Sequence, residues 1–544
     1  MSSSKSSSSS NSVSSTSSSS SSRSSSSASS STSGSVVIAI DANADLHPIS
    51  PLIYGVAAFS DIASNLKDIN APVNRHGGNA VSLYNWQANA SNRGSDWYFE
   101  SIADGAATQA GSILDIVTAN RQAGADSMIT LGMTGWVAKV TANRDKTACF
   151  SIAKYGTQSG ADVNWMPDAG NGVKPDGSLV TGNDPNDCAT PATSDTQKGL
   201  VQLLTQSFGL GGVRYYLMDN ESALWHTTHR SVHPQPATMD EIYGDIVSYG
   251  GMVKAVDAQA LIVAPEEWGW TNYFDSAKDA ALSQWGHGPD RAAHGGMDYM
   301  PWLLQSLHNK EQQTGRRLLD VFSLHYYPQG GEYSDDTSTT MQRRRNRSTR
   351  SLWDPNYVDE TWINNTVRLI PRMKDWVNQN YPGTKIGITE YSWGADTHIN
   401  GATTQADVLG ILGREGANIA TRWTIPAAGT PTFKAFQMFR NYDGAKSSFG
   451  EQSVRAVVPD PDQLSAFAAR RANDGALTII VINKEFAAQP ITLQLTNFVS
   501  SNSAVQRWQL TSANQILRLT DVNNSGLQVS DTVPAQSITT YIIH

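Results

Sequence analysis

Eight short apolar runs between residues 52 and 425 restrict the architecture more than any other feature of this chain. They fall at 52–57, 72–75, 127–132, 214–219, 260–265, 321–325, 385–389 and 418–425. Several are apolar at nearly every position, which suits strands buried on both faces of a parallel sheet. Amphipathic stretches at 238–256, 362–379 and 403–413 lie between some of them and predict helices. Strands alternating with helices in this way predict an α/β fold, a (β/α)8 TIM-like barrel over residues 52–430. The segments after the second, third and sixth runs are long, polar and rich in Asn, Gly, Asp and Pro. In a barrel such loops gather at the carboxyl ends of the strands, where active sites are built.

Beyond residue 430 the period changes. Runs at 476–483, 489–495, 504–510 and 537–543 alternate with period two and are separated by turn residues, predicting a β-sandwich over 431–544. Residues 36–41 alternate likewise, so 36–51 is expected to supply the N-terminal strand of that sandwich. Residues 1–35 are nearly all serine and carry too little apolar surface to offset their ordering entropy, which predicts a disordered linker. No apolar signal-peptide core precedes them, so a secreted enzyme would need an export signal upstream. No apolar run reaches the length of a membrane span. A net charge of −9 offers no electrostatic footprint for nucleic acid. The two cysteines, Cys149 and Cys188, either remain thiols or close a loop of about 40 residues, worth on the order of 4 kcal/mol by chain entropy.

Two strand ends carry carboxylates. The fourth run leads into YYLMDNESALW, placing Asn220 and Glu221 at its tip, and the seventh leads into IGITEYSWG, placing Glu390 at its tip. Glycoside hydrolysis needs two carboxyl groups flanking the scissile bond, about 5–5.5 Å apart when configuration is retained. The tips of strands four and seven face one another across a barrel's mouth. Glu221, near Trp225 and opposite a second carboxylate, is expected to hold a proton as acid/base. Glu390 is expected to act as nucleophile, and the Asn220 amide to bind the sugar 2-hydroxyl. Taken singly, each glutamate reads equally as a strand-end residue in an ion pair.

At these residues the sequence resembles glycoside hydrolase family 44, bacterial endoglucanases and xyloglucanases with a barrel and a β-sandwich. The matching stretches are NRHGGNAVSLYNWQ (74–87), MDNESALWHTTHRSVHP (218–234), DVFSLHYYPQ (320–329), RNRSTRSLWDPNYVDETWI (345–363), ITEYSWG (388–394) and RNYDG (440–444). The resemblance implies acid/base at Glu221, nucleophile at Glu390, and a subsite shaped by Asn220, Arg75, Trp86, Trp225, Tyr326, Trp393 and Trp423. Ser222 departs from the proline common after Asn-Glu in related barrels, and a small effect on loop rigidity is expected.

Other clusters have plainer readings. His226, His229 and His233 share a helical spacing that suits a metal, but also a structural role or a glycan contact. Asp162, Asp168, Asp184 and Asp187, with Asn171 and Asp176, lie on one Gly-rich loop that is either solvated or pinned by calcium. The resembled family includes members with a structural calcium. The run Arg343–Arg350 sits beside Trp353, Asp354 and Asp359, so local ion pairs and stacking are expected rather than nucleic acid.

The chain is therefore expected to be a secreted, monomeric, retaining endo-β-1,4-glucanase of bacterial type. It would need no cofactor and would act on plant cell-wall β-glucans such as xyloglucan, carboxymethylcellulose and mixed-linkage glucan. The alternatives are a retaining barrel glycanase acting on xylan or mannan, and a non-catalytic glycan-binding relative.

Overall fold

A computed structural model describes residues 34–544; the serine-rich linker assigned to 1–35 lies almost wholly outside the described residues. The eight barrel strands are Gly55–Val56, Val73–His76, Asp126–Leu131, Tyr215–Met218, Leu261–Glu267, Val321–Tyr326, Lys385–Tyr391 and Ile419–Arg422. Each pairs in parallel with its sequence neighbours, and the eighth pairs with the first to close the ring. The sixth strand is buried along its whole length, its polar Ser323 and His325 included.

The first strand is shorter than its apolar run. Pro51 at the first helical position and Ser50 as cap turn Pro51–Tyr54 into a 3-10 helix, leaving Gly55–Val56 as strand. A Cβ on Gly55 would stand 2.6 Å from the carbonyl oxygen of Ala420, so only glycine allows the neighbouring strand this close. Helix Met239–Val256 starts where Thr238 and Glu241 form a capping box. The helix expected from residue 362 begins at Leu369, because Asn364 and Arg368 adopt positive φ and keep the preceding turn irregular.

Helix Pro431–Arg440 lies beyond the expected barrel boundary at 430, yet it completes the outer ring. Its end is tied to the first helix, Ile62–Asp68: Arg440 Nε donates to Asn70 O, and Asn441 donates to Asp68 O. The barrel thus runs one helix further than its strand pattern suggested.

The second part has ten strands, counting the two-residue His47–Pro48, rather than the five that alternation revealed. Val36–Asp41 pairs in parallel with Gln489–Thr496 and antiparallel with Gln452–Val457, so the expected sandwich is closed along one side. Leu464–Arg470 was hidden by an alanine-rich sequence, and Ile516–Ser525 by its largely solvent-facing polar residues. Ile38, Ile40, Leu477, Ile479, Val481, Leu493 and Val529 form its core.

Helix Ile399–Arg414 joins the two parts. Every residue from Ile399 to Gly413 is buried. A Cβ on Gly410 would stand 2.2 Å from the Phe467 ring of the β domain. Lys484 of the β domain reaches Asp407 of this helix at 2.7 Å, with both side chains 2 % exposed. Removing one partner of such a buried pair costs about 3–5 kcal/mol. No helix among the described residues is long and apolar enough to cross a membrane.

Candidate active site

Period-two alternation carries the barrel's inward face up to its mouth. Val73, Leu217 and Val321 belong to an apolar cluster built from the strands themselves. On the same face, two residues further along, come Arg75 and Asp219, and four further comes His325. At the tips of strands four and five the backbone leaves regular geometry: Asp219, Glu221 and Glu266 have φ of 60°, 47° and 60°. Positive φ is strained for such side chains and is held only by its surroundings. Here the Glu221 N–H donates to the Glu266 carbonyl at 3.0 Å. Asp219 accepts from Ser82 Oγ at 2.5 Å and from the Asn220 and Met133 amides.

The two tips converge. An oxygen of Glu221, an oxygen of Glu390 and a ring nitrogen of His325 all lie within 4.8 Å of one another. Glu390 receives Arg75 Nη1 at 2.6 Å on Oε1 and the Tyr327 hydroxyl at 2.8 Å on Oε2. Glu221 Oε1 is 2.9 Å from His325 Nδ1. Below them Glu266 meets Arg75 Nη2 at 2.9 Å, His325 Nε2 at 3.3 Å and Thr389 Oγ1 at 2.8 Å. Asn220 Oδ1 accepts from Arg75 Nη2 at 2.8 Å, which fixes its amide beside the pair.

These environments differ in sign. Burial raises the Glu221 carboxyl above the ordinary range, and the facing Glu390 charge adds to this against the hydrogen bond from His325. Burial opposes charge on His325, but Glu390, Glu221 and Glu266 together raise it to about 9. Glu266 is also buried, yet Arg75 and His325 bring it down to about 2. Arg75 lies against Glu390 and Glu266, so an ion held by Glu221, His325 and Glu390 would stand beside a fixed positive charge.

The site's scaffold has close relatives. The crystal structure of CelM2, a bifunctional glucanase-xylanase from a metagenome library, superposes with a TM-score of 0.92 at 55 % identity, covering 94 % of this chain and 99 % of that one. A sequence model described as glycoside hydrolase family 44 matches residues 90–330. The chain belongs to glycoside hydrolase family 44. This family 44 chain is also 31 % identical over 479 residues to endoglucanase A of Paenibacillus lautus, covering 83 % of the chain and 64 % of that protein. It matches a xyloglucanase of Paenibacillus polymyxa at 27 % identity with a TM-score of 0.76, covering 93 % and 99 % of the two chains. It spans 34 % and 64 % of the length of the two curated relatives it matches.

Within the family 44 site, several aromatic residues expected to shape the subsite do not reach it. Trp86, Trp225, Tyr326 and Trp393 are buried. Trp86 Nε1 donates to Thr196 O and its ring packs on Gly199. Trp225 Nε1 donates to Asn220 O, so it braces the Glu221 loop from beneath. Trp393 Nε1 donates to Ser348 Oγ, and Tyr326 packs beside that ring. Strand parity explains Tyr326: His325 and Tyr327 share the inward face and Tyr326 takes the other. Trp423 does lie over the site, 5.8 Å from Arg75 and edge-on to Phe59. Gly78 makes room for it, with φ of 85° and a notional Cβ 2.4 Å from the ring. A cavity of about 480 Å³ opens there between Phe59, His76, Tyr84, Asp104 and Trp423. His325, Tyr327, Glu266 and Glu267 are the site residues that sequence reasoning missed; continuing the alternation from Ser323 would have found the first two.

The secondary clusters resolve differently. His233 pairs with Glu241 at 2.8 Å, His229 is buried against Gly94, and the three histidines form no metal-binding group among the described residues. The four loop aspartates do not converge either. Asp168 binds Ser151, Asp184 caps a 3-10 turn, and Asp187 binds Lys154 and Tyr155. Asp162 alone of the four lies against another acid, Glu100, whose two carboxylate oxygens are buried without a hydrogen-bond donor. Lys146 Nζ stands 3.8 Å from one of them. Ser222, where a proline was noted as common, donates its hydroxyl to Glu267 at 2.5 Å. The arginine run is engaged locally: Arg345 with the carbonyls of Glu332 and Trp393, Arg347 with Glu360, Arg350 with Asp354 and Asp462. Cys149 and Cys188 are disulfide-bonded.

Proposed function

We propose that the chain hydrolyses β-1,4-glucans with retention of configuration. The single observation behind this is the pair of carboxyl groups within 4.8 Å, one in a proton-holding environment and one receiving a guanidinium and a phenol. That separation suits a nucleophile and an acid/base rather than two carboxyls spaced around a water. Glu390 attacks the anomeric carbon while Glu221 gives its proton to the departing glycosidic oxygen. The C–O bond breaks and a glycosyl ester of Glu390 forms. Glu221, now ionised, takes a proton from water; the hydroxyl adds to the anomeric carbon and releases Glu390. Arg75 and Tyr327 orient the nucleophile, and His325 holds Glu221 in line.

Xyloglucan, carboxymethylcellulose and mixed-linkage glucan are the substrates we assign, supported by the endoglucanase and xyloglucanase relatives. A glucanase that also cuts xylan is the second reading, favoured by the likeness to the bifunctional CelM2. Hydrolysis of a polysaccharide panel followed by proton NMR tests both. The first product should be the β-anomer, with glucans and xyloglucan ahead of xylan. A first-formed α-anomer would overturn the mechanism, and xylan as the best substrate would overturn the substrate assignment.

We further propose a structural calcium at Asp162 and Glu100, where it would tie the Asp-rich loop to the small sheet that carries Glu100 and displace Lys146 from it. Calcium should raise the melting temperature of the wild type and leave that of Glu100→Gln unmoved; equal shifts in both would overturn it. The Cys149–Cys188 bond supports secretion, since disulfides persist in oxidising compartments. We also infer a monomer acting on soluble polysaccharide, to be checked by light scattering.

A further inference from the structure

The tip of strand five ends in two consecutive glutamates that both reach the site, in opposite directions. The ladder between strands five and six shifts register between Pro265 and Glu267, leaving Glu266 as an extra residue. Glu266 lies beneath Arg75 and His325. Glu267 turns to the acid's loop, accepting from Ser222 Oγ at 2.5 Å and from the Ala223 amide at 3.3 Å. It is fully buried, and no ion pair joins it to a cation among the described residues. A buried carboxyl without a cation is costly. Among the described residues its side-chain hydrogen bonds go only to the two residues that follow Glu221.

We propose that Glu267 is a positioning residue for the acid/base: it clamps the Ser222–Ala223 turn and so fixes the left-handed backbone that presents the Glu221 carboxyl to the glycosidic oxygen. This rests on the assignment of Glu221 as the acid. The groups facing Glu267 are Glu221 and Ser222 from the loop, His325 from strand six, and the phenols of Tyr273 and Tyr299. Those facing Glu221 are His325, Glu390 and Arg75, with Tyr273 and Tyr327 beyond. Burial raises Glu267 to about 7 against the pull of Ser222 and Ala223, and its charge and that of Glu221 oppose each other. When ionised, Glu267 therefore also favours the protonated form of Glu221.

The test compares two substrates that differ in their need for the acid. Glucan hydrolysis requires protonation of the leaving oxygen. The dinitrophenolate of 2,4-dinitrophenyl β-cellobioside leaves without it, so its pre-steady-state burst reports the nucleophile alone. Glu221→Ala sets the scale and should lose glucan hydrolysis far more than the burst. Glu267→Leu should lower glucan kcat/KM about 100-fold, within the range that general acid catalysis supplies, and change the burst rate by less than about 3-fold. Ser222→Ala, a smaller change, should show the same selectivity at a few-fold loss. Glu267→Gln keeps an acceptor and a donor but removes the charge. Its alkaline limb of kcat/KM should move to lower pH by about half a unit or more, on the scale of one charge in a partly screened site. Parallel loss on both substrates in Glu267→Leu and Ser222→Ala would reduce Glu267 to a structural role and overturn the proposal. So would unchanged glucan kinetics in all three variants. If Glu221→Ala itself lost burst and glucan hydrolysis equally, the assignment of the acid would fall first, and this proposal with it.

Discussion

The two strand tips that meet at the barrel's mouth are built in contrary ways. Glu390 sits within strand seven, just past the register shift that leaves Thr389 unpaired, and receives a guanidinium from strand two and a phenol just past strand six. Glu221 lies beyond the end of strand four, on a left-handed turn held by the Glu266 carbonyl, Glu267 and the ring of Trp225. One tip gives its carboxylate a guanidinium and a phenol; the other pairs its carboxyl with His325 and faces it with another acid. On the proposed mechanism, proximity sets the pair up for one bond, and the asymmetry of their surroundings decides which carboxyl attacks and which carries the proton.

The largest expected effect would make that asymmetry visible in product stereochemistry. Glu390→Ala and Glu221→Ala should each lower kcat on glucan by several orders of magnitude while circular dichroism stays unchanged. Azide should rescue them differently: replacing the lost nucleophile it gives an α-glycosyl azide, and attacking the glycosyl-enzyme of the acid variant it gives the β-azide. The same azide anomer from both variants would erase the distinction between the tips. Next in size, Tyr327→Phe removes one donor from a charged acceptor. Such a bond is worth about 1.5–3 kcal/mol, or roughly 10- to 100-fold in kcat. A loss confined to KM would instead mark Tyr327 as a substrate contact. A smaller effect concerns pH. As the proposed acid Glu221 must be protonated to act, so kcat/KM should fall on the alkaline side at a pH above the ordinary carboxylate range, the direction that burial gives it.

The smallest effect is on stability. His325 is raised from 6.5 to about 9 in the folded protein, so its contribution is fully present below 6.5 and is lost as pH rises through 9. The melting temperature should decline across that window, and His325→Asn should flatten the decline. A slope identical in wild type and variant would place the titrating group elsewhere.

Much of the barrel was legible because burial on both faces leaves a nearly continuous apolar signature, as in YYLM of strand four. Glu221 and Glu390 stood out because a charged residue ending such a run needs a reason. What stayed hidden was parity and direction. Tyr326 and Tyr327 are identical neighbours in sequence, and only the inward register of Ser323 and His325 separates them. Trp225, Trp393 and Trp86 end near the mouth along the chain but turn under it, because large rings fill the space between strands and helices more readily than they face water. The extra residue at Glu266 also escaped notice, since a shift of register leaves no mark in composition. In the β domain, half-exposed strands such as Ile516–Ser525 carry too few apolar residues for alternation to show.

The helix Ile399–Arg414 bears on how such a protein is inherited. A segment with no solvent-facing side from Ile399 to Gly413 serves as the outer wall of one part and the floor of the other. Heating should therefore dissolve both parts in a single cooperative transition, and proteolysis should not release a free barrel. A gene broken at this seam would expose an apolar surface on each fragment. Barrel and β domain are thus bound to travel together through recombination, however freely other modules are exchanged around them.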